Sequence, residues 1–219
     1  MEILVCGDSH TGVFETCNNK QSFFKFNICK VDGATAQGAV NPNSKTLALK
    51  IFTDKINITK SDKILIMLGE VDCGFVIYVR AKRYNISIEE QVENSVNNLF
   101  EFVKNILIEN SNYQNKDIII AGSVLPTIRD NTNKKYLKGA RREVNTSQLE
   151  RTTVTIKYNN MLKNICKKNN YKYIDITDHI ISNDGIVKEN YLNSNPSDHH
   201  LDFNKTYDLW ITQIKNILN

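Results

Sequence analysis

Five short runs dense in isoleucine, valine and leucine, at residues 2–6, 24–31, 63–68, 117–124 and 171–176, recur through the chain with polar or helix-like stretches between them. Runs such as Lys63-Ile-Leu-Ile-Met-Leu68 and Asp117-Ile-Ile-Ile-Ala121 are apolar at nearly every position rather than at every second one. That is the pattern of strands covered on both faces of a parallel sheet. Parallel neighbours cannot be joined by a tight turn, so crossover segments must separate them. Three stretches have helical spacing: 88–110, with Ile88, Val92, Val96, Leu99, Val103 and Ile106; 148–169, with Val154, Tyr158, Leu162 and Ile165; and 203–218, with Tyr207, Trp210, Ile214 and Ile217. The alternation predicts an α/β sandwich with right-handed crossovers. With 219 residues and neither a Pro/Gly/Ser-rich linker nor a repeat period, a single domain over residues 1–219 is expected.

Composition narrows the function classes. The net charge is +4, with 28 basic and 24 acidic residues interspersed, so no extended basic face and no nucleic-acid partner is expected. The densest basic cluster, Lys134, Lys135, Lys138, Arg141 and Arg142, reads as a solvated loop. The cysteines, Cys6, Cys17, Cys29, Cys73 and Cys166, are odd in number and form no CxxC pair. They point away from a disulfide framework or a zinc site and towards a reducing compartment. No stretch approaches the ~20 apolar residues of a membrane span, so no membrane partner is expected. Met1 leads straight into the first apolar run without a basic, apolar leader, which gives the expectation of a cytoplasmic protein. The sequons at Asn57-Ile-Thr59 and Asn204-Lys-Thr206 then carry little weight.

In an open parallel sheet the ligand site forms outside the carboxyl ends of the strands. The first run ends in Gly7-Asp8-Ser9-His10. A serine at a strand-to-helix turn is held out of the sheet beside unpaired N–H groups, which suits a nucleophile; the same residues also suit a plain helix cap. The second run ends in Val31-Asp32-Gly33-Ala34, where a glycine lets the backbone come close to a substrate. The third ends in Gly69-Glu70-Val71-Asp72-Cys73-Gly74. Its two carboxylates can orient a polar substrate or pair with Arg80 or Arg83. Before the last helix stands Asn195-Pro196-Ser197-Asp198-His199-His200-Leu201-Asp202. Two imidazoles and two carboxylates there suit a Ser-His-Asp relay, or less well a metal, since no second ligand cluster is evident. His10 and His179 read as lone structural histidines.

Taken in order, Gly7-Asp8-Ser9, Gly33-Ala34-Thr35, Gly69-Glu70-Val71-Asp72 and the Asp198/His200 pair resemble the blocks of the SGNH hydrolase superfamily, the GDSL esterases and lipases, over almost the whole chain. The resemblance implies a single flavodoxin-like α/β/α three-layer sandwich with a five-stranded parallel sheet. It implies Ser9 as nucleophile, the N–H groups of Ser9 and Gly33 in the oxyanion hole, His200 as base and Asp198 as its support. Asp8, Glu70, Asp72 and His199 would line the substrate. No cofactor and no metal is implied; the substrate would be an O-acyl group, acetyl above all, on a small molecule or glycan. There are two departures. Val71 stands where the family usually places an oxyanion-donating Asn, a loss that costs about 10²–10³ in rate unless replaced. The Asp-x-His spacing replaces the usual Asp-x-x-His and resembles polysaccharide O-acetyltransferases of the superfamily. Taking His199 as the base instead leaves Asp198 adjacent in sequence and poorly placed to support it. Rival readings are an SGNH fold retired to glycan binding, and a flavodoxin-like nucleotide or flavin binder using the first loop.

Overall fold

The computed structural model describes residues 1–137 and 139–218. Five strands, β1 (Glu2–Gly7), β2 (Lys25–Lys30), β3 (Lys63–Met67), β4 (Ile118–Ala121) and β5 (Lys172–Ile174), form one sheet in the order β2-β1-β3-β4-β5. Every neighbouring pair is parallel. Seven α-helices accompany them: α1 (Val13–Lys20), α2 (Ala48–Ile58), α3 (Ile77–Tyr84), α4 (Ile88–Phe102), α5 (Gln148–Asn169), α6 (Thr177–Ile180) and α7 (Phe203–Leu218).

The period-2 geometry of a strand sorts these residues into two cores. Leu4, Cys6, Ile64, Ile66, Ile118 and Ile120 face one side and pack with Phe52 of α2, Val96 and Phe102 of α4, and Tyr158 of α5. Ile3, Val5, Leu65, Met67 and Ile119 face the other and pack with Phe14 of α1 and Trp210 of α7. The result is the expected three-layer α/β/α sandwich. Each fully buried large side chain, such as Phe14, Phe52 or Trp210, contributes about 1.5–3 kcal/mol of apolar transfer free energy.

Several boundaries differ from the expectation, each for a local reason. The run at 24–31 is shorter as β2 and lies at the sheet edge, where Lys25 and Lys30 are exposed and Asn27 is partly exposed; an edge strand is covered on fewer sides than its neighbours. The run at 117–124 pairs only through Ala121, because β5 ends at Ile174 and leaves Gly122 to donate its N–H to the Ile174 carbonyl. The expected helix at 88–110 is α-helical to Phe102 and then opens into wider i→i+5 turns from Val103 to Ile108. The start of α5 at Gln148 is set by a capping box: Ser147 Oγ accepts from the Glu150 N–H at 3.2 Å, and Glu150 Oε2 accepts from the Ser147 N–H at 2.9 Å. The five cysteines are free and buried. Among the described residues, no helix is long and apolar enough to cross a membrane.

Strand order reverses between β1 and β3, which opens a crevice above their carboxyl ends. Two glycines let the chain turn there. A Cβ on Gly7 would meet the Met67 carbonyl oxygen at 2.1 Å, so only glycine lets β1 end hard against β3. Gly69 has φ +132 and a Cβ there would lie 2.5 Å from the Tyr158 ring, which leaves no room for any side chain.

Candidate active site

Ser9 opens a single 3₁₀ turn (Ser9–Gly12) between β1 and α1. Asp8, buried immediately before it, anchors that turn: its Oδ1 accepts from the His10 backbone N–H at 2.9 Å and from His10 Nδ1 at 3.0 Å, while its own N–H donates to the Met67 carbonyl at 3.2 Å. A matching turn precedes α7. Asp198 Oδ1 accepts from the His200 backbone N–H at 3.0 Å and lies 2.7 Å from His200 Nδ1. A carboxylate two residues before a histidine therefore holds both the main chain and the ring, which explains why Asp-x-His spacing suffices here.

The two turns meet across the crevice. His200 Nε2 lies 2.8 Å from Ser9 Oγ. Because Nδ1 faces a carboxylate, the ring proton sits there, and Nε2 is left as the acceptor for the serine hydroxyl. Of the two adjacent histidines, His200 faces Ser9. His199 packs beside it, with ring centroids 4.1 Å apart. The Asp198 carbonyl accepts from Thr127 Oγ1 at 3.3 Å, tying the turn to the segment after β4. His200 keeps 21% and Asp198 32% of side-chain exposure, so this line of contacts is open on one side.

Electrostatics favour a neutral His200 ring. Burial and the neighbouring His10 push the His200 pKa below its ordinary value, against the pull of Asp198. Burial lowers His199 to about 3. Burial raises the Asp198 carboxyl, but the hydrogen bonds from the His200 backbone and ring outweigh it and hold the group ionised.

The acidic residues after β1 and β3 sit deeper than expected. Asp8, Glu70 and Asp72, expected to line the substrate, are 1%, 3% and 0% exposed, and each is engaged with neighbouring groups of the protein. Asp72 accepts from the Ala36 N–H at 2.8 Å and from Ser95 Oγ at 2.9 Å, joining the loop after β2 to α4. Burial outweighs these bonds and raises its pKa to about 6. Glu70 pairs with neither Arg80 nor Arg83. Its partner is Arg141, in a two-pronged contact at 2.9 and 2.6 Å. Gly74, where a Cβ would lie 2.5 Å from Arg141 Nη1, leaves room for that side chain to enter. Gly33 is exposed in a turn with φ +74, two residues beyond Val31, whose N–H donates to the Gly7 carbonyl. Val71 is buried at the start of the segment after β3.

The basic cluster is likewise not a solvated loop throughout. Lys138 lies outside the described residues. The Arg141 side chain is only 10% exposed and is engaged in its ion pair with Glu70. Lys134 donates to the Val144 carbonyl at 3.1 Å. Arg129 and Arg151, which line the same cavity of about 360 Å³, donate to the carbonyls of Val187 and Ile128. These cations tie the segment after β4 to its surroundings.

Arg141→Ala should therefore be costly. It leaves Glu70 as a buried carboxylate without its cation, for an expected loss of about 3 kcal/mol in urea-induced unfolding, recovered in large part by Glu70→Gln in the same chain. The sign with pH is fixed. Although burial opposes it, Arg141 followed by His10 holds the Glu70 pKa at about 2, below its ordinary value of 4.5. Its stabilisation is complete above the higher value and is lost as pH falls through the lower.

Sequence reasoning missed His10. It is 2% exposed and packs against the other two rings, with centroids 4.6 Å from His200 and 5.4 Å from His199. Nitrogen atoms of all three rings lie within 4.8 Å of one another. Both His10 nitrogens, however, are already opposite oxygens, Asp8 Oδ1 and the His199 carbonyl, and His200 Nε2 is engaged by Ser9. Both nitrogens of His10 and both of His200 are thus already engaged in hydrogen bonds. The clue in the sequence was the repeated spacing Asp8-x-His10 and Asp198-x-His200. His179 lies apart, with its Nε2 3.4 Å from Gln213 Nε2.

No family model and no curated protein matches the chain. Solved structures do. A GDSL-like lipase from Bacteroides thetaiotaomicron superposes with a TM-score of 0.61 at 13% identity, covering 98% of this chain and 86% of that one. A carbohydrate acetylesterase family member from Sinorhizobium meliloti superposes with a TM-score of 0.62 at 13% identity, covering 99% and 96%. An esterase from Pseudoalteromonas, whose structure is of a form inhibited by monoethylphosphonate, superposes with a TM-score of 0.55 at 15% identity over 100% and 98%. The chain shares its fold with these lipase and esterase structures.

Proposed function

We propose that this protein is a serine esterase or O-acyltransferase of the SGNH type, acting on O-acyl groups, acetyl above all, carried by a carbohydrate. One observation carries the reading: Ser9 Oγ, His200 and Asp198 stand in a continuous hydrogen-bonded line of 2.8 and 2.7 Å at the carboxyl edge of the sheet. In this line Ser9 Oγ attacks the acyl carbon and its proton passes to His200 Nε2. Asp198 holds the opposite ring nitrogen and balances the imidazolium that forms. The tetrahedral oxyanion is received by N–H groups at the start of the Ser9 turn and by Gly33. Collapse expels the alcohol, which takes the proton from His200. Water, or a sugar hydroxyl in the transfer reaction, then attacks the acyl-Ser9 ester with His200 again as base.

The carbohydrate assignment rests on the acetylesterase neighbour and on the resemblance of the Asp-x-His turn to polysaccharide-modifying enzymes; the retention of a lined-up relay speaks against a fold retired to glycan binding. The experiment is labelling with a fluorophosphonate, followed by peptide mapping, alongside acetate release from acetylated sugars with and without added glycan acceptor. Modification at Ser9 together with acetate release is the expected result. A chain that takes no label and releases no acetate, while still binding glycan, would establish the retired reading instead.

A further inference from the structure

We infer that His10 is a permanently doubly protonated histidine and a positioning residue: it fixes the His199–His200 turn through the His199 carbonyl and keeps the base His200 free of its proton. The catalytic half of this inference rests on the esterase reading above. The ionisation half does not.

The first ground is hydrogen-bond polarity. His10 Nδ1 lies 3.0 Å from Asp8 Oδ1 and His10 Nε2 lies 3.3 Å from the carbonyl oxygen of His199. A carboxylate oxygen and a carbonyl oxygen only accept. A neutral imidazole has one N–H and one bare lone pair, so either tautomer would press a lone pair against an oxygen in a site that is 2% exposed. Turning the ring over would set carbons against both acceptors. Two N–H groups satisfy both.

The second ground is charge. The groups facing His10 are Asp8 from its own turn, Glu70 from the segment after β3, Arg141 behind Glu70, and His199 and His200 from the turn before α7. Arg141, Glu70, His10 and Asp8 form a buried line of alternating sign, with Glu70 Oε2 3.8 Å from His10 Nδ1. With His10 charged, the four sum to zero. With His10 neutral, one buried carboxylate is left uncompensated, which is far more costly in such a site. Burial alone would lower the His10 pKa, but Glu70 and then Asp8 outweigh it and raise it above the usual histidine value.

Two consequences follow for His200. A cation whose ring centre is 4.6 Å away makes protonation of His200 harder, which keeps the base available at lower pH. The bond to the His199 carbonyl holds the peptide directly preceding the base, and so helps aim Nε2 at Ser9.

The test begins with imidazole nitrogen NMR on the intact protein, each histidine assigned by its single His→Gln variant. His10 should show two protonated nitrogens from pH 5 to 8. A bare nitrogen on His10 at pH 7 would overturn the inference, whatever the enzyme's activity. In His10→Gln the His200 pKa, read by NMR, and the acid limb of kcat/KM for p-nitrophenyl acetate should both move up by about 0.5–1 pH unit. A role confined to packing would lower kcat at every pH and leave the limb in place, a second overturning result. Should the wild type hydrolyse no ester, the esterase reading fails while the NMR pKa values still decide the charge and its influence. If His10→Gln does not fold, Glu70→Gln serves in its place. Removing that carboxylate should bring His10 deprotonation to lower pH, and an unmoved titration counts against the inference.

Discussion

Ser9→Ala lowers the hydrolysis of p-nitrophenyl acetate by about 10⁴-fold or more, the scale on which serine relays lose rate when the nucleophile is removed. The reasoning is geometric. The hydroxyl is the group that the His200 ring faces at 2.8 Å, and alanine leaves the base with no proton to take. Stability should barely change, because Ser9 is only partly buried and its backbone turn is held by Asp8 and Thr11 rather than by its own side chain. A Tm within about 2 °C of the parent, which for a chain of this size corresponds to under about 1 kcal/mol, is expected beside the kinetic loss. Activity that survives the substitution would place the nucleophile elsewhere.

The second large effect separates the paired histidines. His200→Ala should cost on the order of 10⁴-fold in kcat/KM for the same ester. His199→Ala should cost no more than about tenfold, about 1.4 kcal/mol in the barrier. The asymmetry comes from what each residue offers. His200 contributes its ring, fixed by Asp198 at 2.7 Å and aimed at Ser9. His199 contributes its backbone carbonyl to His10 at 3.3 Å, and an alanine keeps that carbonyl. Its ring is held neutral, with a pKa of about 3, so it supplies no charge to the site at working pH. A His199→Ala variant that is the slower of the two would reassign the base and leave the Asp198–His200 contact without a catalytic role.

These contrasts show which features were legible in the chain alone. Strands buried on both faces advertise themselves, because a parallel sheet tolerates no polar face; β1, β3 and β4 were each visible as continuous apolar runs. Edge strand β2 was overdrawn, since a strand covered on fewer sides has weaker patterning. α1, α2 and α3 are short, and pairs such as Phe52 and Ile56 are too few to establish a period over two or three turns. The Gly7-Asp8-Ser9 turn was legible because a strand end that must turn at once under a neighbouring carbonyl demands a glycine, and the turn that follows favours an aspartate that can accept a backbone N–H.

Charge placement was not legible. The arginines considered as partners for Glu70, Arg80 and Arg83, lie ten and thirteen residues away, whereas its partner in the structure, Arg141, comes from 71 positions along the chain. Asp8 and Asp72, read as residues that line the substrate, are buried and hydrogen-bonded to the turns beside them.

By itself, then, the sequence determined the layered α/β architecture and the set of residues delivered to the strand ends, because hydrophobic periodicity and turn chemistry are local properties read within a few residues. Only the tertiary structure decided which of those residues meet: that His200 rather than His199 faces Ser9, that Arg141 rather than Arg80 or Arg83 neutralises Glu70, and that His10 is enclosed by two carboxylates and a carbonyl. The physical reason is that pairing energies and pKa values depend on distance and burial in space, and residues brought within 3 Å by the crossing of loops 190 positions apart leave no periodic trace along the chain.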